Sequence, residues 1–267
     1  NGGTQYFFSL QSAIDTATIT GDEIFIVRDF EAAYAVNVPE EANILLNMNG
    51  HDITIGNTIT NNGTLRIYDS TEEIGSITTA KTITNNGTLT VESIEIKQTT
   101  TEDTILNNGT LNLTGSTITG QGYAVRTNGP MTMGENAKVT RTDGSYAIYN
   151  NYDGLTLESG ETSGIYNAKT LTVGGDFAIK STHTNSACVH STTANAHLTM
   201  NGGTCTAENI GISLQGQNQT FEMNDGVVKS NSGISVYVSN TNGANTVTIN
   251  NGEIESKTNN AIYLYGR

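Results

Sequence analysis

The sequence predicts an all-β chain, a single-stranded parallel β-helix with three short strands per coil and roughly ten coils. Three observations carry this. The pentapeptide Asn-Asn-Gly-Thr-Leu recurs at 61–65, 85–89 and 107–111. Taking its leucine as origin, the register continues through Leu65, Leu89, Leu111, Met131, Leu155, Leu171, Leu198, Phe221 and Val247, with gaps of 24, 22, 20, 24, 16, 27, 23 and 26 residues. Gaps that vary around one mean mark a solenoid whose turns change length while its strands do not. Each origin residue opens an apolar-polar-apolar triplet, such as Leu-Thr-Val at Leu89 and Val-Thr-Ile at Val247. A period of two means strands rather than helices.

Two further columns complete the coil. One comprises Ile59, Ile83, Ile105, Val125, Ile148, Ile165, Cys188, Ile212, Ile234 and Ile262, and the other Ile96, Ile118, Val139, Ile179, Cys205, Val228 and Ile254. With inward apolar positions on every strand, each coil stacks on the next at about 4.8 Å, the spacing of hydrogen-bonded strands, and the rod is about 45 to 50 Å long.

Two residues beyond the isoleucine column stand Asn61, Asn85, Asn107, Thr127, Asn150, Asn167 and His190, which by period two also point inward. Inward amides at a coil corner can bond their neighbours above and below, so this stripe predicts an internal asparagine ladder. In these stacked corner asparagines and aliphatics the chain resembles the right-handed parallel β-helices of the pectate-lyase-like superfamily. The resemblance covers nearly the whole chain and implies an architecture, not an activity.

The first residues differ. Leu10, Ala13, Ile14 and Ala17 fall at i, i+3, i+4 and i+7 behind Ser9, which predicts a short amphipathic helix over 9–17 with Ser9 as its N-cap. A solenoid exposes a sheet edge and a core cross-section at its end, and a helix placed there covers both. Residues 1–22 are therefore read as an N-terminal cap and 23–267 as one continuous β-helix. Its first, less regular strands come from 23–27, 35–38 and 44–52, the last containing an Asn49-Gly50-His51 turn. This succession resembles the N-terminal part of uncharacterised adhesin-like surface proteins of Gram-positive gut bacteria. The absence of an initial methionine predicts that a leader has been removed. The unfinished coil at 261–266 predicts a piece of a longer surface protein.

Composition agrees with a secreted or cell-surface setting. The formal net charge is −14 with 12 Lys plus Arg, which argues against nucleic acid as a partner. No apolar run is long enough to span a bilayer, so no membrane insertion is expected. Few charges (14%), no tryptophan and abundant Asn, Thr and Gly suit an extracellular solenoid.

Cys188 and Cys205 fall in aliphatic columns and are expected to be buried free thiols acting as small hydrophobes. A disulfide across the interior is the alternative, and a catalytic thiol is disfavoured because apolar burial makes a thiol inert. His183, His190 and His197 are seven apart, but the repeat sends His190 inward and His197 outward, with no carboxylate or cysteine at ligand spacing. No metal site and no cofactor is predicted.

Catalysis by paired carboxylates needs acids on the same or adjacent coils of one face. Here Glu92, Glu158, Asp176, Glu222, Asp225 and Glu253 scatter, as do Arg66, Arg126 and Arg141, and no catalytic residue is assigned. Files of outward threonine flank the leucine column and resemble ice-binding surfaces. Arg66, Pro130, His197 and Glu222 interrupt them, and threonine is common on exposed strands anyway.

One outward file is different. One residue beyond the isoleucine column lie Arg126, Tyr149 and Tyr166 on successive coils, with Tyr263 at the far end. Aromatic faces with polar tips stack on sugar rings, and arginine bonds hydroxyls or carboxylates. Exposed tyrosine also stabilises strands by cross-strand pairing alone. The expectation is an extracellular binding or spacer module, adhesin-like, with weak glycan or host-surface binding through these four residues. The alternative is a polysaccharide lyase or glycoside hydrolase on the same fold.

Overall fold

The computed structural model describes residues 5–239 and 243–266, so the ends of the predicted cap and solenoid, Asn1 and Arg267, lie outside the described residues. The chain forms a parallel β-solenoid of about ten turns behind one short helix. Every strand pairing is parallel and joins one coil to its neighbour, across sheets of 6, 14 and 11 strands.

All three columns appear as ladders. Leu65, Leu89, Leu111 and Met131 are in register, as are Leu155, Leu171, Leu198, Phe221 and Val247. The third column runs from Ile96 through Ile118, Val139, Thr162, Ile179, Cys205 and Val228 to Ile254, with Thr162 filling a position that an aliphatic pattern skips. In the later coils the 11-residue strands His197–Ala207 and Thr220–Ser230 bend round a corner and join the leucine strands to this third sheet.

The isoleucine column forms an uninterrupted 11-stranded sheet with two corrections to the predicted register. Ile165 pairs with Val189, not Cys188, and Ile212 pairs with Val236, not Ile234. The reason is local ambiguity. Ala187, Cys188 and Val189 are all buried, so no alternation marks the inward residue. Ile234 and Val236 lie two apart, so each satisfies a period of two, and it is Val236 that is fully buried. The one-residue slip at Cys188 inverts the assignment of its neighbour. His190 therefore lies in the outward file beside Tyr166, and buried Ser191 follows it at the inward corner.

The recurrent pentapeptide now has a physical explanation, position by position. Its first asparagine is inward. Asn61 Nδ2 donates to Asn85 Oδ1 (2.8 Å), Asn85 Nδ2 to Asn107 Oδ1 (2.7 Å), and Asn107 Nδ2 to Thr127 Oγ1 (3.0 Å). The second proton of each amide goes to a backbone carbonyl of the following coil, Thr88, Thr110 or Pro130. Asn150 and Asn167 repeat the arrangement at 2.8 Å. The second asparagine is outward and builds another ladder. Asn86 Nδ2 donates to Asn62 Oδ1, Asn108 to Asn86, Asn128 to Asn108 and Asn151 to Asn128, all at 2.8–2.9 Å. The glycine is required by close approach. A Cβ on Gly87 would lie 2.0 Å from the Gly63 carbonyl oxygen, and one on Gly109 would lie 2.0 Å from that of Gly87. The leucine then enters the core.

The helix runs Leu10–Thr20, ending three residues later than expected. Ser9 Oγ accepts the Ser12 amide at 3.1 Å, and Gly21, at φ +71°, closes the far end by donating its N–H to Ala17 O. Leu10, Ala13, Ile14 and Ala17 are all buried. Gln11 exchanges two bonds with the Asn37 backbone, donating from Nε2 to the carbonyl (3.0 Å) and accepting the amide at Oε1 (2.6 Å). The cap thus covers the core and satisfies backbone groups at the edge of the first isoleucine-face strand, Val36–Val38.

A second fixed point lies at the Asn49-Gly50 turn, where both residues adopt positive φ. The Asp69 carboxylate of the next coil accepts the amides of Gly50 (2.9 Å), Thr71 (2.8 Å) and Gly75 (2.8 Å) and the Thr71 hydroxyl (2.7 Å). Burial pushes this carboxyl up, but the hydrogen bonds from Thr71, Gly75 and Gly50 outweigh it and hold its pKa below the ordinary value.

Two outcomes follow for stability. Asn107→Ala leaves one buried Asn85 Nδ2 proton without its acceptor and takes one of two donors from the Pro130 carbonyl, costing about 1 to 3 kcal/mol, whereas Asn112→Ala on the outward side loses only half-exposed bonds. Chemical denaturation should show the larger loss for Asn107→Ala, and equal losses would contradict the ladder. Asp69, with a folded pKa below its unfolded one, contributes stability that is present above about pH 4 and is lost as pH falls through the folded value. Asp69→Asn should therefore melt earlier than the parent at neutral pH, and the gap should narrow on acidification. A gap independent of pH would assign its cost to packing instead.

Candidate functional site

The candidate strip is built on the isoleucine face. Its inward residues lock each strand into the core, so the residue one further on must face out. The resulting file runs Leu106, Arg126, Tyr149, Tyr166, His190, Ser213, Tyr237, Tyr263 on consecutive coils, with Ser213 buried. All four predicted residues are in it. Arg126, Tyr149 and Tyr166 come together, while Tyr263 stands apart, stacked on Tyr237 with centroids 6.0 Å apart.

Within the central group the rings pack on one another. Tyr149 and Tyr166 stack at 5.0 Å with planes 7° apart. The Arg126 guanidinium lies 4.4 Å from the Tyr149 centroid on the preceding coil, so Tyr149 is covered on both faces. A second row flanks the file. Tyr123 meets Tyr149 edge-on at 5.3 Å and Arg126 at 5.0 Å, and Tyr146 stacks on His190 at 5.6 Å while meeting Tyr166 edge-on. What the strip offers outward is therefore ring edges, hydroxyls and guanidinium N–H groups, rather than open ring faces.

Its electrostatics are close to neutral. Arg126 Nε bonds Asp103 Oδ2 at 2.6 Å, and the other oxygen of Asp103 accepts the Tyr123 amide at 3.3 Å. Burial raises the pKa of Tyr123 and Tyr146, the latter accepting the Ala187 amide on its hydroxyl, so both stay protonated phenols. Burial lowers the pKa of His190, which favours the neutral imidazole. The Tyr166 hydroxyl bonds that of Thr192. Two hollows elsewhere, one lined by Phe8, Phe30 and Tyr34 and one by Lys180, Glu208 and Asn231, include none of these residues.

Four members of the strip escaped the sequence reading. His190 and Tyr237 were hidden by the register errors at Cys188 and Ile234. Tyr123 and Tyr146 carried a readable signal, the repeat of Tyr-Ala-aliphatic-Arg at 123–126 as Tyr-Ala-aliphatic-Tyr at 146–149.

The remaining reactive groups are dispersed. Glu92 pairs with Arg66 at 2.6 Å, Glu253 with Lys229 at 2.9 Å, and Asp225 accepts the Gly226 amide. His183 bonds Asn185 and Ser186 within its own turn, and His197 bonds Thr220 and Thr199 on the leucine face. Among the described residues no group of three or more His, Cys, Asp or Glu is arranged to hold a metal, and no helix is long and apolar enough to cross a membrane. No family model, curated protein or solved structure matches the chain.

Cys188 and Cys205 are free and fully buried, and their thiols meet inside the core. Burial, reinforced by the hydrogen bond with Cys188, pushes the Cys205 thiol well up and suppresses the thiolate that reacts. Iodoacetamide should label neither cysteine in the folded protein and both in urea. Labelling of Cys205 without unfolding would show that this part of the core opens.

Proposed function

We propose that the protein is an extracellular, adhesin-like module that serves as a rigid spacer and binds glycans weakly along its isoleucine face. The observation supporting this is the concentration of Arg126, Tyr149, Tyr166 and His190 in one file, flanked by Tyr123 and Tyr146, on a rod whose leucine-face files are mostly threonine and whose third face mixes threonine with Lys and Glu. Successive side chains recur at the strand spacing of about 4.8 Å, close to the length of a sugar unit, so a polymer lying along the rod can meet each in turn. The rings are already stacked, so little side-chain freedom is lost on binding.

Arg126 is neutralised by Asp103, which suits neutral sugars bound through hydroxyls better than densely anionic ones. With no enclosing pocket at the strip, affinity is expected in the range of about 1 mM to 10 μM, useful through many copies. A glycan array probed with the parent and with a Tyr149→Ala/Tyr166→Ala variant tests this, alongside a reducing-sugar assay for turnover. The reading requires binding by the parent, loss in the variant and an unchanged circular-dichroism spectrum. Equal binding by both proteins would place the glycan site away from these tyrosines, and binding by neither leaves the spacer role alone. Release of reducing ends would favour a polysaccharide-active enzyme instead.

A further inference from the structure

Nine Asn-Gly dipeptides occur in the chain. Such pairs are chemically labile, because a glycine nitrogen without a neighbouring Cβ can approach the preceding side-chain amide. Four of them, at Asn62, Asn86, Asn108 and Asn128, place their asparagine in the outer ladder. There the Asn86 amide is held on both sides, donating to Asn62 and accepting from Asn108. The attacking nitrogens are engaged too, since Gly87 N donates to Asn61 O (3.2 Å) and Gly109 N to Asn85 O (3.1 Å). Asn49-Gly50 is similarly tied, through Ile26 O and Asp69. Asn201 is held on one side by Asn224. Asn1-Gly2 and Asn242-Gly243 include residues outside the described ones.

Asn251-Gly252 is the exception. Asn251 is exposed, and neither its side-chain amide nor the Gly252 N–H has a hydrogen-bond partner among the described residues. Gly252 also adopts φ +107°, off the extended path of the strand that follows.

We propose that the outer asparagine ladder is a chemical lock that protects its Asn-Gly pairs from deamidation, and that Asn251 is where the folded chain deamidates. In that step the Gly252 nitrogen bonds Asn251 Cγ, the Cγ–Nδ2 bond breaks, and ammonia leaves carrying the glycine proton. Solvent water then opens the cyclic imide at either carbonyl, giving aspartate or isoaspartate, with no redox change. Inside the ladder the same product would replace a donor with a carboxylate oxygen facing an acceptor, which breaks the file.

The test is peptide mapping by mass spectrometry of protein aged in mildly alkaline buffer, folded and in urea. Folded protein should gain about one dalton at Asn251, with Asn86 and Asn108 slower by at least about tenfold, the factor of one net hydrogen bond. In urea the three sites should convert at comparable rates. Asn86→Ala removes the acceptor of Asn108 and should accelerate Asn108, while Asn86→Asp keeps an oxygen there and should not. Equal rates at Asn86, Asn108 and Asn251 in the folded parent would overturn the proposal whether or not the variants fold. So would an Asn108 rate unaffected by a folded Asn86→Ala.

Discussion

The closest constraint in this molecule is the approach of one coil's backbone to the next at the glycine corner. Gly63, Gly87, Gly109 and Gly129 each sit so near the preceding coil that a single carbon would overlap a carbonyl oxygen. With that approach set, the parallel ladders on either side stay in register, and every residue stands over its counterpart. The solenoid is thereby restricted to side chains that tolerate their own kind at strand spacing. Aliphatics, amides, hydroxyls and aromatic rings do, but like charges do not. Several charged residues pair with opposite charges on neighbouring coils, as in Arg66 with Glu92, Lys81 with Glu102 and Lys180 with Glu161.

Amides meet the constraint by lining up their dipoles. The inner file donates toward the following coil and the outer file toward the preceding one, so adjacent rows at one corner carry opposed polarity and offset each other's fields. A ladder must also begin and end. Val38 stands in the coil before Asn61, which leaves Asn61 Oδ1 without a hydrogen-bond partner among the described residues. Toward the other end the file gives way to buried Ser191 and Gln219. The Gln219 amide reaches Ser191 Oγ (2.7 Å) and Thr193 O (2.8 Å) and accepts the Gly216 amide (2.9 Å). A longer side chain spans the corner where the turn has changed length, which keeps the buried groups satisfied without strict repetition.

The same constraint decides what could be read from the sequence. A residue that must sit over its counterpart recurs in the chain, so the columns and the inner asparagines were legible, while the capping helix was legible from its own i, i+3, i+4, i+7 spacing. Legibility failed where the alternation is degenerate. At Ala187-Cys188-Val189 three consecutive residues are buried, and at Ile234-Ser235-Val236 two frames fit equally, so His190 and Tyr237 were lost from the aromatic file. The outer asparagines went unread for another reason. A side chain facing water leaves no hydrophobic signal, and only the doubling of Asn in the pentapeptide marked it. A ligand imposes no period at all, so the aromatic file was visible as a pattern while its partner was not.

The strip also bears on how such a rod would hold a polymer. Stacking has fixed the rings before any ligand arrives, which lowers the entropic cost of binding, yet it uses up the faces that would give the strongest sugar contacts. Arg126 and Tyr166 cover Tyr149 from both sides. Each coil is left with a hydroxyl or an N–H to offer, a small contribution in water because it replaces a bond to solvent. Contributions of that size matter only when added over consecutive coils in one register. A solenoid keeps that register because its rise is set by backbone contact rather than by flexible side chains. On the proposed reading, then, rigidity and binding have one origin, and the glycine corner that makes the rod stiff is also what aligns its weak contacts into a usable row.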